Sequence, residues 1–307
     1  MALDPVHIGT GQTRIGRVDN TIVRETGTNI PKIPGTSLMG ASRSYASLVY
    51  GKPEAAGQHK KLKNEDRKNC PIIYTFGTYT NGDAAEGGQQ GKISISDAQI
   101  LFFPVYSMAG PVWVTTSEIL KSVNLTADMP SDSPDDILYT SLDWPKKTLN
   151  LGWLHLPVKT GLIVTPLNEL LSKNEWKTIE TRIVIASSRI FSQIVNSNLE
   201  VRTSVAINPE TGAAEDGALF TYEAIPRTTW FWSDVVQDDY MAKFPKTTKQ
   251  FSETGENSGE QLSDEWNSPL EVVKSGFELM QFLGVGGMTT RGFGRLKKLV
   301  DWGVEGK

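Results

Sequence analysis

The chain has 307 residues, with 31 Lys and Arg against 35 Asp and Glu, a formal net charge of −4, and 38% hydrophobic and 21% charged residues. That length supports a sizeable core; the charge balance excludes a molecule that draws in polyanions through its overall field, and with no apolar run long enough to cross a bilayer the chain reads as soluble and cytoplasmic, without a membrane partner. The single cysteine, Cys70, excludes an internal disulfide, and His7, His59 and His155 lack the spacing of a zinc site.

With a negative whole-molecule charge, any nucleic-acid site must be local. Two stretches are locally basic: Arg14, Arg17, Arg24, Lys32 and Arg43 near the start, and Arg291, Arg295, Lys297 and Lys298 near the end. Asp19 lies in IGRVDNTIVRE between Arg17 and Arg24, in a polar loop after a Gly-rich turn. In residues 30–51, Pro31 and Pro34 keep the approach extended, Ser37 is placed to cap, Leu38, Ala41, Tyr45 and Leu48 recur at helical spacing, and Gly51 ends the helix. The first turn of a helix leaves N–H groups unpaired, so the Gly35-Thr36-Ser37 entrance is also a candidate phosphate seat.

Residues 53–91 turn polar and glycine-rich without a sustained period and are read as an insertion. ISISDAQILFFPV then reads as a strand entering the core, and TTSEILKSV as a cap and a short helix. After a further irregular stretch, residues 182–186 (RIVIA) read as a buried strand with a helical turn over 187–195. LEVRTSVAIN and GALFTYEAI alternate about a turn with Pro209 and Gly212, which predicts a long hairpin within 197–226. Leu199, Val201, Val205 and Ile207 share one parity and are expected to face Ala218, Phe220 and Tyr222. Residues 246–265 read as a flexible loop; Ser268, Pro269 and Glu271 then form a capping box ahead of Leu270, Val273, Phe277 and Met280. GVGGMTTRGFG and a closing strand, RLKKLVDW, follow. No tandem repeat is present. Interleaved strands and helices with long hairpins predict one α+β domain built on an antiparallel sheet.

Two nucleotide motifs can be set aside. Residues 35–42 approach a P-loop, but Ala41 stands at the lysine position and prolines replace the preceding strand. Gly9-Thr-Gly11 and Gly284-Val-Gly286 each lack the third glycine of a dinucleotide fingerprint. The run from Gly284 to Gly294 holds five glycines in eleven residues beside Arg291 and Arg295, so backbone and charge can both approach a phosphate. No histidine, cysteine or serine constellation supplies a nucleophile, which leaves carboxylate and metal chemistry open.

Four blocks, HIGTGQTRIGRVDNTIVRETGTNIPKIPGTSLMGASR, FGTYTNGDAAEGGQQGKISISDAQILFFPVYSMAGPVWVTT, LEVRTSVAINPETGAAEDGALFTYEAIP and FLGVGGMTTRGFGRL, together resemble the RAMP superfamily of CRISPR proteins. Within it they resemble the repeated backbone subunit of the type III-B (Cmr) effector assembly. The resemblance implies a ferredoxin-like, RRM-type sheet with helices, and copies that stack in a helical array on a CRISPR RNA beside other Cmr-type subunits. Each copy's thumb hairpin, matched here by residues 199–225, interrupts guide–target pairing at regular intervals. It further implies cleavage of target RNA at those intervals by Asp19 with a divalent metal, Mg²⁺ or Mn²⁺. RNA contacts are implied from Ser37, Arg43, Gly286, Gly287 and Arg291, with Lys32 and Arg202 beside them. The family commonly carries lysine where Met39 stands, and the few residues before His7 leave a shortened first strand. A non-catalytic RNA-binding backbone subunit and a CRISPR-RNA processing nuclease are the alternatives.

Overall fold

The structure, a computed structural model, describes residues 1–13, 18–58, 61–63, 67–78, 88–130, 134–240, 242–245, 247–248 and 265–301. Arg14, Arg17, His59 and most of the 246–265 loop lie outside the described residues, as do stretches of the 53–91 insertion.

The chain opens with strands β1 (Gly9–Thr13) and β2 (Asn20–Ile22) and enters helix α1 (Gly35–Val49). The helix starts two residues before Ser37. Pro34 is its N-cap, without a side-chain cap, and the Gly35 N–H donates instead to Asp97 Oδ1 at 2.8 Å. The buried stripe is Gly35, Leu38, Ser42 and Ala46, whereas Leu48 faces outward. Of the residues at helical spacing, Leu38 is buried and Ala41 and Tyr45 pack against the core; the small members Gly35, Ser42 and Ala46, which hydrophobic spacing does not mark, let another helix come close. Gly51, at φ +73°, terminates the helix as expected.

Asp97 thus acts as an N-cap from elsewhere in the chain, and it also ion-pairs Lys32 at 2.6 Å. The Gly35 N–H first, and the Lys32 ammonium second, hold its carboxyl below the usual range. A depressed folded pKa gives a contribution that is present above the ordinary carboxylate pKa and is lost as pH falls through the folded value. Asp97→Ala should therefore cost about 1 kcal/mol at neutral pH, and the gap from wild type should close in strong acid, as read from urea midpoints at both pH values.

Within the stretch read as an irregular insertion, α2 (Pro71–Phe76) buries Ile72, Ile73 and Phe76. Six residues are too few to show a helical period. The insertion has a tight neck, where the Thr78 N–H donates to Gln89 O and the Lys92 N–H to Thr75 O, each at 2.8 Å.

Strands β3 (Ile93–Ile95), β4 (Gln99–Ser107) and β5 (Gly110–Thr115) follow, then α3 (Ser117–Ser122), whose N-cap Thr116 accepts from the Ile119 N–H at 3.2 Å. The next region, which carried no sequence pattern, forms β6 (Thr126–Ala127), β7 (Leu138–Thr140), β8 (Thr148–Leu151), β9 (Leu154–Thr160), β10 (Val164–Thr165), α4 (Asn168–Leu171) and α5 (Asn174–Ile179). After β11 (Ile183–Ile185) and α6 (Ser188–Ser197) come β12 (Glu200–Ile207), β13 (Ala214–Ala224), β14 (Trp230–Trp232), β15 (Val235–Gln237) and α7 (Pro269–Leu283).

The larger sheet has seven strands in the order β14-β4-β5-β11-β7-β9-β8, antiparallel except for the β11–β5 and β7–β9 pairs. Its two faces feed two cores. Phe103, Val105, Val114 and Val184 join one; Phe102, Trp113, Ile183 and Ile185 join the other, where Trp176 packs between Phe102 and Trp230. The smaller sheet, β1-β2-β13-β12, has four strands and carries the hairpin. The architecture is α+β with mainly antiparallel pairing. No helix among the described residues is long and apolar enough to cross a membrane.

Two local expectations are corrected. The capping box at α7 is displaced by one residue: Glu271 Oε2 accepts from the Asn267 N–H at 2.6 Å, and Ser268 is the N-cap without a side-chain bond. The described part of the closing segment forms only a bridge, Leu296 with Ala2. Pairing there goes to the N-terminal residues, with Lys297 N–H donating to Met1 O and Leu3 N–H to Arg295 O, both at 2.8 Å.

Candidate nucleic-acid interface

The β12–β13 hairpin stands out from the fold with large apolar side chains on both faces: Ile207 is 62% exposed, Leu219 61% and Phe220 49%. Its register pairs Val205 with Leu219, Ser204 with Phe220 and Arg202 with Tyr222. The expected facing of Val201 and Val205 with the set Ala218, Phe220 and Tyr222 is therefore one residue out, since they pair with Glu223 and Leu219. The 208–213 turn closes with Asn208 N–H to Ala213 O at 2.8 Å and a register shift follows Val205, so strand alternation alone could not fix the pairing.

The hairpin's root is bolted to the first strands. Buried Glu223 ion-pairs Arg24 at 2.6 Å, and Arg24 Nε donates to Asn196 Oδ1 at 2.9 Å. His7 Nδ1 meets Glu223 O at 2.6 Å. Arg24, counted in the basic stretch, is thus spent inside the protein.

Asp19 sits beside this root. Its Oδ2 accepts from both the N–H and the hydroxyl of Thr221, each at 2.8 Å, while its own N–H donates to Thr221 Oγ1 at 3.0 Å. The Thr221 N–H first, and its hydroxyl second, hold the carboxyl below the usual carboxylate range, so it is ionised at neutral pH. Among the described residues no group of three or more His, Cys, Asp or Glu could hold a metal ion. The Asp19 carboxylate by itself would offer a divalent ion such as Mg²⁺ or Mn²⁺ one hard oxygen ligand.

The other face of the same strand carries a different chemistry, because the pleat sends Tyr222 away from Thr221. The Arg202 guanidinium lies 4.7 Å from the Phe293 ring centroid, Tyr222 meets Phe293 edge-on at 6.2 Å, and Arg291 Nη1 stands 3.4 Å from the Tyr222 hydroxyl. Arg202 also ion-pairs Glu200. The glycine loop comes up beneath: Gly286 has φ +88°, and a Cβ there would fall 2.4 Å from Ile8 Cδ1 and 2.6 Å from His7 O. The Gly287 N–H donates to His7 O at 3.0 Å. Arg202, Arg291, Gly286 and Gly287 are thus brought together, with Asp19 across the sheet from them.

Ser37, Lys32 and Arg43 form a separate group around α1. Lys32 ion-pairs Asp97 at 2.6 Å and Glu25 at 2.7 Å, and these bonds, Asp97 foremost, raise its pKa. Arg43 Nη2 and Nε donate to Ala55 O at 2.9 and 3.1 Å, and burial pushes its pKa down. At the predicted phosphate seat the leading N–H, that of Gly35, donates to the Asp97 carboxylate, and Ser37 makes no side-chain cap. Sequence reasoning missed Thr221, Tyr222 and Phe293. Thr221 lies 202 positions from Asp19, and no local pattern joins them.

The RAMP superfamily family model matches residues 1–297. The chain is 32% identical over 247 residues to the CRISPR system Cmr endoribonuclease Cmr4 of Pyrococcus furiosus, a match covering 75% of this chain and 77% of that protein. Among solved structures, the fold is similar to a chain of the type III-B Cmr-beta complex in its apo state, with TM-score 0.57 and 16% identity over 95% of this chain and 92% of that one. It is also similar to a crystal structure of Cmr4, with TM-score 0.51 and 20% identity over 95% and 93%.

Proposed function

The chain belongs to the RAMP superfamily, and from that membership we propose that it is a repeated backbone subunit of a type III-B, Cmr-type ribonucleoprotein that cleaves target RNA at regular intervals. The observation that carries this reading is an ionised carboxylate, Asp19, fastened to the root of a projecting hairpin in a chain similar to a named endoribonuclease. Its partners are CRISPR RNA, target RNA, further copies of itself and other Cmr-type subunits.

RNA cleavage needs no protein nucleophile, because a 2′-hydroxyl can attack its own phosphate once the nucleotide is held in line: the O2′–P bond forms as the P–O5′ bond breaks, leaving a 2′,3′-cyclic phosphate and a 5′-oxygen that takes a proton from water to depart as a hydroxyl. The exposed apolar hairpin supplies a wedge that breaks stacking at one nucleotide. Asp19 then orients the reacting 2′-hydroxyl or takes its proton. A divalent ion, with Asp19 as its protein ligand, would neutralise charge on the phosphate. Arg202 and Arg291, on the opposite face, bind backbone phosphates and leave sequence to base pairing.

The test is a complex reconstituted with guide RNA and an end-labelled complementary target. The expected result is a ladder of evenly spaced products that stops on chelation of divalent ions and loses its spacing when residues 208–213 are shortened. A target left intact, or cut at irregular positions, would overturn the assignment.

A further inference from the structure

We infer that Thr221 is a positioning residue that ties the Asp19 carboxylate to the hairpin, so that insertion of the hairpin and placement of the cleaving group are one event. This deepens the reading just given and rests on it. Three hydrogen bonds join the two residues: the Thr221 N–H and hydroxyl each donate to Asp19 Oδ2 at 2.8 Å, and the Asp19 N–H returns to Thr221 Oγ1 at 3.0 Å. Asp19 lies outside the strands, in the connection leading to β2, and such a segment has few means of holding a rotamer.

Thr221 is placed differently. It belongs to β13, where it pairs with Thr203 of β12, and the next residue, Tyr222, pairs with Asn20 of β2. Phe220 and Leu219, just before Thr221 on the same strand, are exposed on the projecting part of the hairpin, and Glu223, just after it, is locked to Arg24. A displacement of the strand that carries the wedge is therefore passed to Asp19 through Thr221. The hydroxyl takes part in two of the three bonds, so a side chain of the same shape without it leaves only the backbone donor.

The experiment compares reconstituted complexes carrying Thr221→Val, Thr221→Ser and Asp19→Ala in single-turnover cleavage, target binding and hydrogen exchange. Thr221→Val should keep target affinity and assembly while slowing cleavage about tenfold to a hundredfold, the size of effect expected when a reacting group is held loosely. Exchange at the Asp19 amide should accelerate with it. Thr221→Ser should restore both the rate and the protection. An inactive Asp19→Ala complex beside an unimpaired Thr221→Val complex overturns the positioning role alone, as does a serine variant as slow as the valine one. A Thr221→Val complex whose loss lies in target affinity also overturns it. An Asp19→Ala complex cutting at the wild-type rate overturns the assignment of Asp19 and this inference with it.

Discussion

Asp19→Ala should abolish cleavage of target RNA at every regularly spaced position while leaving the assembled complex and its affinity for target intact. The residue is a partly exposed loop aspartate whose hydrogen bonds among the described residues run to Thr221, and it is not a member of the buried core clusters. Its removal should cost the fold little. For the reaction the loss is different in kind. A positioned carboxylate acting on a hydroxyl proton contributes about 10²–10⁴ in rate, and each copy in a stack brings only its own. All sites should therefore fail together, and an array containing both wild-type and mutant copies should lose individual rungs of the ladder. Gel analysis of end-labelled target, beside native mass spectrometry of the complex, reads both halves of the statement. Wild-type rate and spacing from the mutant would leave Asp19 as a turn residue and favour a non-catalytic backbone subunit.

What the sequence reveals and conceals divides along physical lines. The hairpin, the buried strand at 183–185, the Thr116-capped helix and the proline-led helix at 269 were legible, because each is specified within about ten residues by alternation, a cap or a fixed φ. The strands between residues 126 and 165 were not. The strands β6, β7 and β10 have only two or three residues each, and β7 has as one neighbour β11, far along the chain. Helix α1 was found with Leu38, Ala41 and Tyr45 toward the core, but the part of its contact face made of Gly35, Ser42 and Ala46 was not, since a hydrophobic stripe was sought.

The candidate site shows the same division. Asp19 became a candidate through the family resemblance, since its surroundings alone suit a turn residue, and its partner Thr221 is supplied by topology alone. The basic residues were legible as charges and illegible as functions: Lys32 and Arg24 are neutralised by carboxylates of their own chain, and Arg43 is bound to Ala55 O. Arg202, which also ion-pairs Glu200, lies over the Phe293 ring, and Arg291 meets the Tyr222 hydroxyl, in a geometry that only the folded sheet creates.

The small-residue face of α1 leads to an expected result in which one substitution has opposite signs at two helical glycines. Gly276 in α7 lies against α1, where a Cβ would come within 2.3 Å of Ser42 O, 2.4 Å of Ser42 Oγ and 2.7 Å of Ser42 Cα. Two of those atoms are backbone, and Ser42 is fully buried with its hydroxyl donating to Val273 O at 3.1 Å, so nothing can rotate away. Alanine at 276 must push the helices apart. The overpacking should cost about 2 kcal/mol or more, exceeding the gain of about 1 kcal/mol that alanine brings to a helix interior. Gly40, in α1 itself, is exposed, and a Cβ there would meet nothing within 4 Å. Gly40→Ala should accordingly stabilise by about 0.5–1 kcal/mol through the lost freedom of the unfolded chain. Urea or thermal unfolding of the two variants beside wild type decides the matter. A Gly276→Ala chain that fails to fold is the same result carried further, whereas one as stable as wild type would mean that the two helices do not touch at Ser42, and the seat of the first helix beneath Lys32 and Asp97 would have to be redrawn.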